Sequence, residues 1–161
     1  MITAYHEAGH ILLAEWFSAR VVYASVLPEE HQGVRSHGLT RAVWPPATDP
    51  RQRSAELAKV ALAGPAAELI YTDEQYEPRV LQEWWTDWLA AGEAIQAIAP
   101  HPLNDEQKYH ILSAYLQSIS QFLSKDRIWD RIAGIAEELD AHETLETMQL
   151  IELREQGRLA V

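Results

Sequence analysis

Residues 6–10 read His6-Glu7-Ala8-Gly9-His10. On a helix, two histidines four residues apart stand one above the other on the same face, with Cβ atoms roughly 6 Å apart. In a strand the same spacing would separate them by about 13 Å. Only the helix brings both rings to one point, and the surrounding residues favour it. Residues 4–17 hold no proline and one glycine, Gly9. Thr3 is a candidate cap, and Ile11, Leu12, Ala14, Trp16 and Phe17 place apolar surface around His10. The spacing predicts a helix over residues 3–18.

Two imidazoles held this way can bind one zinc ion, and the glutamate between them then lies beside the open coordination position, where it can take a proton from water. This is the HExxH pattern of a zinc metallopeptidase, with His6 and His10 as ligands and Glu7 as general base. A core helix carrying two hydrogen-bonded histidines is the plainer reading of the same residues. What separates the two is a third ligand. The chain has no cysteine, so disulfides and thiolate sites are excluded and that ligand must be His, Asp or Glu.

Among the carboxylates, Asp87 fits, because it falls in Trp84-Trp85-Thr86-Asp87-Trp88-Leu89, inside a predicted helix over 79–99 and between tryptophans. Aspartate is a poor helix-interior residue and costly to bury unpaired. A metal would account for it, an exposed polar edge of the helix would too, and Glu68, Glu83 and Glu93 remain alternatives. The tryptophans themselves read as core packing, since aromatic residues at helical spacing usually are. Glu68 is also a candidate acceptor for the free N–H of a ligand histidine. His31, His37, His101, His110 and His142 lack partner spacing and read as surface or capping residues; His37 alone adjoins the predicted second strand.

The rest of the chain reads as mostly helical, α+β, with a small early sheet. Strands are predicted over 20–27 and 38–44, with a polar loop over 29–36 between them. Asp49-Pro50 starts a helix that Gly64-Pro65 should kink or restart. Further helices are expected after the Asn104 cap to about 123, over 126–139 and over 146–155, forming a C-terminal helical bundle. With 161 residues, 47% of them hydrophobic, the chain can bury one core. We expect a single domain: a zinc-helix and sheet part over about 1–78 and a helical part over 79–161 carrying the third ligand.

The net charge of −11 argues against nucleic acid and anionic membranes as partners. No apolar run approaches the ~20 residues of a membrane span. Met1 is followed at once by the motif helix rather than by a leader pattern, so the expectation is a soluble cytoplasmic protein; the same abrupt start fits a piece of a longer chain.

In order along the chain, Thr3-Ala4-Tyr5-His6-Glu7-Ala8-Gly9-His10, Gly38-Leu39-Thr40, Leu62-Ala63-Gly64-Pro65-Ala66-Ala67-Glu68, Thr86-Asp87-Trp88 and the 136–145 segment resemble the peptidase domain of FtsH-type zinc metalloproteases. The resemblance implies one zinc per chain on His6, His10 and Asp87, with Glu7 as base. It also implies an extended substrate paired with the edge strand at Gly38, Leu39 and Thr40. Pro65 stands where that family has arginine, and its ATPase module and membrane helices have no counterpart here. The expected activity is therefore ATP-independent hydrolysis of peptides or unfolded polypeptides; a homo-oligomer or a separate ATPase partner are the assemblies the resemblance implies. A non-catalytic relative that keeps the metal site for binding or assembly is the alternative.

Overall fold

The computed structural model describes residues 1–31, 34–36, 38–74 and 84–159. Helix α1 (Ile2–Trp16) leads into β1 (Arg20–Ser25), β2 (Glu29–His31), β3 (Val34–Ser36) and β4 (Leu39–Val43). Helices α2 (Pro50–Thr72), α3 (Trp85–Ile98), α4 (Asp105–Leu123) and α5 (Asp126–His142) follow, then β5 (Thr144–Glu146) and α6 (Thr147–Glu155). The predominantly helical α+β class expected from the sequence is the class observed. No described helix is long and apolar enough to cross a membrane.

Local chemistry sets several boundaries. Asp49 accepts from the Arg51 amide and Pro50 takes the first turn of α2, the position where its missing N–H costs nothing. Asn104 and Gln107 form a reciprocal capping box at α4. Met1, not Thr3, precedes the first turn of α1.

The sheet order is β4-β1-β5, all antiparallel, which leaves β4 on an edge. The third strand comes from residues too few to show a period: Leu145 is buried and pairs with Ala24. Within the stretch expected to be a polar loop, 29–36, the described residues Glu29–His31 and Val34–Ser36 instead form the antiparallel pair β2–β3, with Glu29 opposite Ser36 and His31 opposite Val34. A polar segment still has backbone N–H and C=O groups to satisfy, and strand pairing does so without apolar side chains.

Helix α2 is continuous through Pro65, so of the kink or restart expected there, no restart occurs. An internal proline leaves the carbonyl four residues earlier without its helical donor, at a cost of about 3 kcal/mol or more. Burial offsets that cost, since Leu62, Ala63, Ala66 and Ala67 are all fully buried. The expected helix over 79–99 is observed as α3 from Trp85; residues 75–83 lie outside the described set.

Helix α1 is the centre of the core. It packs on α2, α5 and β1, burying Ala4, Ala8, Ile11 and Leu12 completely. Its other end is held by Arg154 of α6, which bonds Glu15 and the Val21 carbonyl while Glu15 accepts from the Val21 amide. At Gly9 the two long helices touch backbone to backbone: a Cβ there would lie 2.3 Å from the Ala63 carbonyl oxygen. In an unconstrained helix, Gly→Ala would stabilise by up to about 1 kcal/mol. Here the methyl must push α2 away, so Gly9→Ala should destabilise by about 1–3 kcal/mol. Chemical denaturation reads the sign directly, and a variant more stable than wild type would contradict the contact.

Candidate metal centre

The α1–α2 contact continues at Gly64, where a Cβ would lie 2.3 Å from His10 Nε2 and 2.6 Å from His6 Nε2. The bare glycine gives both rings a floor. Each ring is then oriented through its other nitrogen. His10 Nδ1 lies 2.8 Å from the Val60 carbonyl oxygen. A carbonyl only accepts, so His10 carries its proton on Nδ1. His6 Nδ1 lies 3.0 Å from Glu68 Oε2 and donates to that carboxylate in the same way. The structure thus brings Glu68 onto the outer nitrogen of His6; an outer partner of this kind is what a metal-bound histidine needs.

With both Nδ1 atoms protonated, both Nε2 lone pairs point inward. They are 3.1 Å apart. Asp87 joins them from α3, with Oδ2 3.0 Å from His6 Nε2 and Oδ1 3.6 Å from His10 Nε2. Three acceptor groups therefore converge with no donor of their own. Lysine and arginine are absent from the described lining of the surrounding cavity, so the balancing positive charge must be a proton or a metal ion. Three ligands around a tetrahedral zinc at about 2.1 Å would stand roughly 3.4 Å from one another, a spacing near the 3.1 Å between the two nitrogens and the 3.0 and 3.6 Å from them to the two Asp87 oxygens. Among the described residues, His6, His10 and Asp87 are the group of three able to hold a metal ion.

Asp87 lies in the first turn of α3, not mid-helix as the sequence suggested. Its charge meets the positive end of the helix there, which needs no special explanation. Of the alternative ligands, Glu68 is engaged on the far side of His6. Glu93 is exposed on the cavity wall. Glu83 lies outside the described residues. His110 and His142 sit beside Glu106 and Glu138 on the surface, His101 is exposed, His31 lies in β2, and His37 is outside the described residues.

Glu7 is buried, 4% exposed, yet lines the same cavity as His6, His10 and Asp87. The Thr40 hydroxyl donates to its Oε2 at 2.6 Å. Its Oε1 occupies the space a side chain at residue 38 would fill, 2.4 Å from the position of a Cβ on Gly38. Gly38 and Thr40, singled out as substrate-strand residues, therefore also seat the glutamate. Leu39 lines the cavity beside them. The cavity holds about 1290 Å³ and extends past the cluster between α1, α2, α3 and β4.

Electrostatics follow from this crowding. Burial works against a charge on His6, but the Asp87 and Glu68 carboxylates outweigh it and raise its pKa from 6.5 to about 10. His10 is likewise opposed by burial and raised by Asp87. Burial would raise Asp87, but the two histidines hold it well below the ordinary carboxylate range.

The metal-free protein should therefore show a defined pH window. The His6 contribution is fully present below pH 6.5 and is lost as pH rises through about 10. The Asp87 contribution is present above pH 3.8 and is lost on acidification. Melting temperatures in chelator should be highest between these two limits and decline towards pH 10, and His6→Gln should flatten the alkaline decline. A wild-type alkaline limb as flat as that of the variant would contradict the assignment.

No family model matches this chain and no curated protein matches it, so the arrangement of these side chains carries the functional reading by itself.

Proposed function

We propose that this protein is a zinc-dependent metalloendopeptidase of the FtsH-peptidase type, acting on extended or unfolded polypeptides. The observation that carries the reading is the convergence of His6, His10 and Asp87 in one open cavity with the Glu7 carboxylate beside them. His6 Nε2, His10 Nε2 and one Asp87 oxygen would hold the ion, whose Lewis acidity polarises a carbonyl and makes water more acidic.

The chain's own groups do the rest. Glu7 accepts a proton from the attacking water and passes it to the departing amine. Thr40 and Gly38 fix the carboxylate so that it need not reorganise during the transfer. Val60 and Glu68 hold the two rings with their lone pairs inward, so neither histidine competes as a donor. An extended peptide can add to the exposed side of β4 by backbone hydrogen bonding, with its side chains alternating into the cavity and away from it. The edge position of β4 supports this mode.

The test separates metal from chemistry. Purified protein should hold about one zinc per chain, and Asp87→Ala should lose it. Glu7→Gln should keep the zinc and the fold while cleavage of unfolded casein drops by about 10²–10⁴-fold, because an amide cannot take the proton. ATP should not stimulate cleavage, since no GxxxxGK[ST] phosphate loop occurs in the sequence. Undiminished turnover in Glu7→Gln would remove Glu7 as the base. A zinc-loaded wild type that cleaves no unfolded substrate would instead favour the binding or assembly role.

A further inference from the structure

Trp84 is 3% exposed, and its indole N–H donates to Glu68 Oε2 at 3.0 Å, the same oxygen that His6 Nδ1 bonds at 3.0 Å. A buried indole N–H needs an acceptor, but a carboxylate oxygen shared with a ligand histidine is a specific choice. Trp84 also begins the turn that carries the third ligand: its carbonyl accepts from the Trp88 amide at 2.9 Å, and Asp87 lies within that turn. The indole thus reaches one side of the cluster, through Glu68, while the Trp84 backbone opens the turn that carries Asp87. Through Glu68 the indole fixes the His6 ring. Asp87, three residues on in the same turn, meets His6 Nε2 at 3.0 Å, so Trp84 and Asp87 approach the same ring from one short segment.

We propose that Trp84 is a positioning residue of the metal centre, acting through Glu68 to hold His6 and Asp87 in register. The inference rests on the metal reading given above. Among the described residues the Glu68 carboxylate is bonded by His6 and Trp84, so losing the indole N–H removes one of these two holds and loosens the orientation Glu68 gives to His6. Outer partners of metal-bound histidines contribute about 10–100-fold in affinity when removed, and the indole is one bond further out through the same carboxylate.

The experiment measures zinc affinity by competition with a chelating dye in wild type, Trp84→Phe, Glu68→Ala and the double variant. Trp16→Phe, at an exposed residue in edge-to-face contact with Phe122, is the control. Trp84→Phe keeps an aromatic ring in the buried site and removes only the donor and part of the ring volume. It should bind zinc about 10-fold more weakly, towards the lower end of that range, while Trp16→Phe binds as wild type does. In the Glu68→Ala background the Trp84→Phe change should have no further effect. That non-additivity is something a merely structural tryptophan would not produce. Should Trp84→Phe fail to fold, the wild-type indole N–H resonance, assigned from its NOEs, gives a second readout. It should exchange slowly with solvent, unlike that of the exposed Trp85, and shift on zinc loading. Wild-type affinity in Trp84→Phe, a full loss persisting on top of Glu68→Ala, or an indole proton exchanging as fast as that of Trp85 would each overturn the proposal. A wild-type protein that takes up no zinc would instead overturn the metal reading, and this inference with it.

Discussion

The site depends on two helices approaching to backbone contact. Gly9 of α1 meets the Ala63 carbonyl of α2, and one position on, Gly64 meets both histidine rings. A larger residue at either place would separate the helices or fill the space the rings occupy. Close approach also puts the Val60 carbonyl within reach of His10 and the Glu68 carboxylate within reach of His6. A single helix pair therefore supplies the two rings, the floor beneath them and the groups that choose their tautomers. Pro65 sits inside this contact, on a helix whose neighbouring residues are fully buried, and tertiary packing overrides its local preference there.

The chemistry at that contact is a concentration of acceptors. Two inward lone pairs and a carboxylate, mostly removed from water, repel one another unless a cation joins them. Burial makes this mismatch expensive, because desolvation weakens every charge that is not paired. In the metal-free chain a proton balances it, which is why both histidines titrate high and Asp87 low. Glu68 adds a second carboxylate on the outer side of His6 and shares itself with Trp84. The outer atoms of the cluster are thus tied into a hydrogen-bonded network, His10 to Val60, His6 and Trp84 to Glu68, and Glu7 to Thr40, and such partners rigidify a buried polar site.

Helix α1 and its motif were legible from the sequence because 3.6 residues per turn converts a four-residue spacing into shared direction, and no distant residue is needed to make that true. The caps at Asp49 and Asn104 were legible for the same reason, since each bonds an amide two or three residues away. The strand assignments at 20–27 and 38–44 held, because β-branched and aromatic runs bounded by prolines are local signals. The β2–β3 pair and β5 were missed: three-residue strands have no period, and their hydrogen-bond partners are set by the fold.

Asp87 shows where sequence reasoning stopped. The residues alone singled it out while leaving Glu68, Glu83 and Glu93 as alternatives, and its predicted mid-helix position was incorrect, since it lies in the first turn. The buried Trp84 was read simply as core, because nothing in a sequence records that its N–H and a histidine 78 positions earlier share one oxygen. By itself the sequence determined the helical pairing of His6 with His10, the placing of Glu7 between them, and, through the lack of cysteine, the nitrogen-and-oxygen character of any metal site. Only the tertiary structure decided which carboxylate completes the cluster, which nitrogen of each ring faces it and what holds Glu7 in place, because those outcomes depend on contacts between α1, α2, α3 and β4 that no local spacing encodes.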